Sequence, residues 1–303
     1  MKPADGSFTE KRDIMSQNAF VIRHMEEQEL SLAVDWAAEE GWNPGIHDAQ
    51  CFWKADNQGF LVGVIDNQPV GCISAVRYGS THGFIGFYIV KPQWRGKGYG
   101  IQLWQAAMTQ LSNRIVGLDG VVTQQNNYKK SGFQFAYSNI RYSGVIRKDA
   151  ADAILKNRTD LEVVSVDQID LKKLIEYDNA LFFTPRPDFI SSWLIQPSAK
   201  ALGILSNDRL VGYGVIRQCR KGYKVGPLFA DNWDIAEKLF TSLGTHFGEK
   251  ELFLDVPESN TAAVALAAKY NMGKVFETAR MYNGVAPKME LSKVFGVTTF
   301  ELG

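Results

Sequence analysis

The chain has 303 residues, enough for two domains of ordinary size, and its 45% apolar and 22% charged residues are typical of globular proteins. The formal net charge is zero, so nothing global points to nucleic acid or an anionic membrane as partner. No run reaches the roughly 18 apolar residues of a membrane span, and Cys51, Cys72 and Cys219 are too far apart and odd in number for a disulfide framework.

The four histidines are scattered without ligand spacing, so no metal is expected. The polar stretch 1–17 reads as a flexible leader without the apolar core of a signal peptide. With reduced thiols, this gives a cytoplasmic protein as the expectation. "AFVIRHM" (19–25) alternates as a strand does. Residues 26–42 place Leu30, Ala33, Val34, Ala37 and Ala38 at helical spacing, with Gly41 suited to the helix end. Residues 59–79 read as a hairpin turning at Asp66-Asn67, and "GFIGFYIV" (83–90) as a further strand. A helix follows over 101–113, with Ile101, Trp104, Met108 and Leu111 on one stripe. Then come a strand (115–122), a short helix (124–133) and a strand (135–146). The order predicts an α+β layered domain over 18–147. The charged, Ala-rich segment 147–160 reads as a link.

The second half echoes the first. "QPVGCISAVR" (68–77) returns as "RLVGYGVIR" (209–217), and "VGLDGV" (116–121) as "LFLDVP" (252–257). Two features recurring in one order at nearly one spacing predict a tandem repeat, with a second domain over 161–290.

The segment Arg95–Gly100, "RGKGYG", joins a strand to a helix. Lys97 is followed by Gly98, where a P-loop needs Ser or Thr. Gly96, Gly98 and Gly100 are one residue short of the dinucleotide fingerprint, although Asp119 lies at a fitting distance. Glycines let backbone approach a pyrophosphate, and the first helical N–H groups lack intrahelical acceptors. The helix dipole, Arg95 and Lys97 would add positive charge there. A glycine-rich turn with two solvated cations also fits the loop alone.

"IVKPQWRGKGYG", with its Arg-x-x-Gly-x-Gly between strand and helix, resembles the acyl-CoA-binding loop of the GNAT superfamily of N-acyltransferases. The resemblance covers about 18–146. "EGWNPG", "GLDGV" and "NNYKKSGF" further resemble its tandem-domain branch. It implies two tandem GNAT-like domains, each a mixed, mostly antiparallel sheet flanked by helices. It implies that the main chain of Tyr88, Ile89 and Val90 pairs with the pantetheine arm. The amides of Gly96, Lys97, Gly98, Tyr99, Gly100 and Ile101 would cradle the pyrophosphate beside Arg95. An N–H of Ile89 or Val90 would polarise the thioester carbonyl. The implied reaction is direct transfer from acetyl-CoA to an amine on a small molecule or peptide. The alternative from another class is a non-catalytic acyl-CoA sensor.

Within the resemblance, Tyr128 stands where many relatives keep the proton donor to the leaving thiolate; a plain packing role also fits. Asp119 is the first candidate for a base, with Asp48 and Glu40 behind it. Asp119 could instead cap a turn. Trp42 and Asn43, in "GWNPG", either line the acceptor pocket or form an ordinary turn. Cys51 and Cys72 have no histidine that would make them nucleophiles.

The second half carries "KVGPLFADNWDIAEKLF" (224–240) in place of the glycine loop. Asp231 and Asp234 at its helix start repel a pyrophosphate, although Gly226 leaves a donor site open. This domain is expected to be degenerate. It would either shape the acceptor site, with Arg186, Arg280 and Tyr282 closing over a shared cleft, or serve folding or homodimerisation.

Overall fold

The computed structural model describes residues 19–157 and 161–303. The expected leader (1–17) and the end of the expected link (158–160) lie outside the described residues.

The first half runs β1 (Val21–His24), α1 (Leu30–Glu39), α2 (Asp48–Ala55), β2 (Phe60–Ile65), β3 (Gln68–Tyr78), β4 (His82–Val90), α3 (Tyr99–Gln110), β5 (Ile115–Val121), α4 (Gln125–Lys130) and β6 (Gln134–Val145). The link is helical as α5 (Lys148–Asn157). The second half repeats the pattern with β7 (Glu162–Ser165), α6 (Leu171–Leu181), α7 (Pro187–Leu194), β8 (Ala199–Ser206), β9 (Arg209–Gln218), β10 (Tyr223–Ala230), α8 (Trp233–Gly244), β11 (Glu251–Pro257), α9 (Thr261–Lys269) and β12 (Gly273–Tyr282). β13 (Val294–Gly296) follows.

The expected hairpin turns at Asp66 and Asn67, with φ of 50° and 61°. Two positive φ values are what a tight two-residue hairpin needs, and short polar residues tolerate them. Asn207 and Asp208 repeat those values between β8 and β9. The echoed segments fall on matching strands, β3 with β9 and β5 with β11. Helix α2 has no counterpart among the elements that the sequence predicts. Its Phe52 is buried against Phe189 and Trp193 of α7, at ring separations of 6.5 and 6.0 Å. The contact that stabilises this short helix thus comes from the other half.

All described strands join one sheet in the order β1-β2-β3-β4-β5-β12-β6-β11-β10-β9-β8-β7, with β13 beside β10. β4 with β5 and β10 with β11 are parallel. The centre of the sheet is a reciprocal exchange. β12 of the second half lies between β5 and β6 of the first, and β6 lies between β12 and β11 of the second. Each seam carries the same buried pair. Arg280 of β12 holds Asp119 of β5 at 2.8 and 2.7 Å. Arg141 of β6 holds Asp255 of β11 at 2.6 and 2.7 Å. These side chains are at most 3% exposed. A bidentate guanidinium–carboxylate fork satisfies both charges, and removing one partner of such a pair costs about 3–5 kcal/mol.

Candidate active site

β4 and β5 pair only over His82–Ile85 and Ile115–Leu118, then diverge. The divergence begins at an irregularity in the β3–β4 register, where Phe87 takes φ +44°. Such a bulge bends a strand and re-aims its backbone. Ser74 Oγ accepts from the Gly86 N–H at 2.9 Å at the same place. The wedge between the strands is a cavity of about 810 Å³, within the usual size range of small-molecule sites.

Tyr88, Ile89 and Val90 line this cavity, as do Arg95, Gly96, Gly100 and Ile101. Lys91 N–H bonds back to Val70 O at 2.9 Å. Strand alternation therefore turns the N–H of Val90 away from β3, toward the open wedge. Of the two amides expected to face a carbonyl there, Val90 has the required direction.

Gly96 and Gly98 have φ of 76° and 82°, and Gly98 caps α3. The left-handed backbone lets the chain turn back so that the first amides of α3 face the mouth of the wedge. A β-carbon on Gly100 would stand 2.9 Å from Tyr88 Oη. Lys97, Gly98 and Tyr99 turn their side chains or backbone outside the cavity lining. Lys97 sits over the Trp94 ring at 4.6 Å, and Tyr99 packs on Phe20 at 4.6 Å. Arg95, expected to face a pyrophosphate, instead donates to Val90 O at 2.7 Å and pairs with Glu40. Together Arg95 and Glu40 span the cavity wall from the glycine loop to the end of α1.

Tyr128 of α4 also lines the cavity, its ring against Trp104 at 5.7 Å. The ring fills the space over Gly120, where a β-carbon would lie 2.3 Å from it. The packing role and the cavity-facing role therefore hold together. Burial, helped by neighbouring Tyr88, pushes the Tyr128 phenol up to about 12. The hydroxyl keeps its proton at neutral pH and can donate it.

Asp119 lies on the cavity wall but is committed to Arg280 and, at 2.8 Å, to Asn139. Asp48 is fully buried and pairs with Arg217 at 2.8 and 3.2 Å, outside the cavity lining. Trp42 reaches the cavity, whereas Asn43 exchanges hydrogen bonds with the Lys221 backbone of the second half. Arg186, expected over a shared cleft, is buried on Asp178 at 2.9 Å and stays within the second half. Arg280 and Tyr282 are buried in β12 and do not line the cavity. Cys51 and Cys72 are buried, and burial pushes the Cys51 thiol up to about 11 and Cys72 further. Neither is a nucleophile in this setting.

The second half does reach the cavity, through Phe276, Thr278, Phe300 and Glu301. Nothing in the sequence announced them, because strand exchange and a long return path bring them there. The equivalent wedge of the second half is filled. β13 pairs with β10 where β10 leaves β11, and Val297 N–H continues to Asp255 O at 2.8 Å. A β-carbon on Gly226 would lie 2.6 Å from Val297 O. Asn232, not a glycine, caps α8 by accepting from Ile235 N–H at 3.1 Å. Asp231 is held by Arg209 at 3.1 Å.

Among the described residues no group of histidine, cysteine and carboxylate side chains is placed to hold a metal, and no helix is long and apolar enough to cross a membrane.

Residues 23–133 match a family described as acetyltransferase (GNAT) family, and residues 174–296 match one described as acetyltransferase (GNAT) domain. A holothin acyltransferase from Pseudoalteromonas sp. (strain SANK 73390) is 31% identical over 91% of this chain and 92% of that protein. A solved structure from Pyrococcus horikoshii, assigned to the acetyltransferases, is 20% identical with a TM-score of 0.77, covering 98% of this chain and 100% of that one. A tandem GNAT protein from the clavulanic acid biosynthesis pathway is 11% identical with a TM-score of 0.60, covering 88% and 100%. The wedge, the glycine loop and these matches agree: the chain belongs to the GNAT family of acyltransferases and carries two GNAT domains.

Proposed function

We propose that the first half binds acetyl-CoA in the β4–β5 wedge and transfers its acetyl group directly to an amine on a small molecule or peptide. One observation carries this reading. Gly96, Gly100 and Ile101 of the glycine loop and helix start, Val90 with its wedge-facing amide, and Tyr128 all line one cavity. The helix start and loop amides suit a pyrophosphate, and the free edge of β4 suits an extended pantetheine arm. Val90 N–H would stabilise the developing oxyanion. Tyr128 would return a proton to the leaving sulfur. A proton donor in the cavity favours catalysis over mere sensing. In this reading Asp119 orients Arg280 and the sheet seam and does not act as base. Arg95 contributes long-range charge unless Glu40 releases it. The second half holds no donor, because residues 294–298 fill its wedge, and it completes the acceptor end of the first.

Holothin is the first acceptor to try, since the relative spanning nearly the whole chain bears that name. The reading is tested by thiol release from acetyl-CoA across an amine panel that includes it. Tyr128→Phe is expected to lower kcat at least tenfold with acetyl-CoA affinity within twofold of wild type. Wild-type turnover in that variant would remove the assigned role.

A further inference from the structure

The proton that an acceptor ammonium must lose has no taker among the residues expected from sequence. Asp119, Asp48 and Glu40 are each committed to an arginine. One acidic residue lining the cavity is not. Glu301 is 3% exposed, lines the cavity, and makes no hydrogen bond or ion pair through its side chain among the described residues. Its main chain packs on Gly86, where β4 begins to diverge; a β-carbon there would lie 2.1 Å from Glu301 O. The segment is further fixed by Tyr78 Oη, which donates to Leu302 O at 2.9 Å. Thr278, on the same wall and 2% exposed, has a hydroxyl without a partner among the described residues. Trp42, Phe276 and Phe300 add apolar wall around these polar groups.

We propose that Glu301 is the base that takes the proton from the acceptor's ammonium group, so that the second half completes the catalytic apparatus of the first. The proposal rests on the acyl-transfer reading above, and it names the acceptor class as a primary amine on a compact apolar body.

The ammonium loses one proton to the Glu301 carboxylate. The amine lone pair then forms the C–N bond at the thioester carbon. The C–S bond breaks, and sulfur leaves with its electron pair. Tyr128 gives its proton to sulfur and is restored by the second proton of the attacking nitrogen. Glu301 passes its own proton to solvent, so a turnover yields amide, free thiol and one proton.

The surroundings suit a base. Burial pushes the Glu301 carboxyl up; Lys224 of β10 and Arg141 of β6 pull against this, Asp48 of α2 adds to it, and Arg217 of β9 opposes it, leaving the group above the usual glutamate range. A carboxylate held there is a stronger base than an exposed one.

The test is Glu301→Gln in the full chain, with kcat/KM for the amine followed against pH. The expected result is a fall of at least tenfold at pH 7. The wild-type profile levels off once Glu301 is ionised. The variant needs an amine that is already neutral, so its rate keeps climbing toward the acceptor's own pKa and the gap narrows. Acetyl-CoA affinity within twofold of wild type would show that the fold is kept. A wild-type rate and profile, or an equal loss at every pH, would overturn the proposal and leave the acyl-transfer reading standing. No thiol release by the wild type on any amine would overturn both.

Discussion

A chain cut after residue 147 is expected to give aggregated protein without acyltransferase activity. The cut falls where sequence would place a domain boundary, yet it removes β12 from between β5 and β6. Both strands then expose long hydrogen-bonding edges, which invite aggregation. Asp119 loses Arg280, and Arg141 loses Asp255. Phe52 loses the Phe189 and Trp193 rings it packs on. A cavity wall built from Phe276, Phe300 and Glu301 goes as well. The loss should be complete, read by size-exclusion chromatography and thiol release. Supplying residues 148–303 as a separate co-expressed chain is expected to recover soluble, active complex, because the exchange needs both halves but not the peptide link. A monomeric 1–147 fragment that binds acetyl-CoA like the full chain would contradict the exchanged sheet.

The second large effect is expected at the glycine loop. Gly98 has φ +82°, a conformation that costs a β-branched residue of order 1–3 kcal/mol. Gly100 has no room for a β-carbon beside Tyr88 Oη at 2.9 Å. The combined Gly98→Val and Gly100→Val change should therefore move the first amides of α3 and place methyl groups where the pyrophosphate approaches. Acetyl-CoA affinity is expected to fall more than a hundredfold, about 2.8 kcal/mol. The thermal midpoint should fall by only several degrees, as expected of a strain of a few kcal/mol in an exposed loop, so the fold is kept while affinity is lost. Isothermal titration checks this, and undiminished affinity would separate the loop from donor binding.

These expectations show which parts of the molecule sequence could reveal. Local chemistry was legible. The Asp66-Asn67 turn, the strand before the loop and the glycine spacing of Arg95–Gly100 are dictated by neighbours in the chain. So was the repeat, because the two echoed segments fall on matching strands, β3 with β9 and β5 with β11. What escaped was everything fixed across the halves. The eight residues of α2 are amphipathic but too few to hold a helix alone, and the α7 face they pack on lies in the other half. Asp119 and Asp48 looked free as bases, because their arginine partners lie 161 and 169 positions away. Arg186 and Arg280 looked available for a cleft for the same reason. Glu301 carries no motif, and its place on the cavity wall follows from a path through the filled wedge of the second half. Segment 224–240 keeps Gly226 but not the run of glycines, which is the hint behind the proposal that this half holds no donor; β13, paired with β10, occupies the strand edge that a pantetheine arm would need there.

The central claim is therefore two GNAT folds with one donor site, in the first half. The most direct measurement is a calorimetric titration of acetyl-CoA into the full chain, read for stoichiometry. One molecule bound per chain, lost in the Gly98→Val and Gly100→Val variant, is the predicted result. Two per chain, or one that persists in that variant, would contradict it.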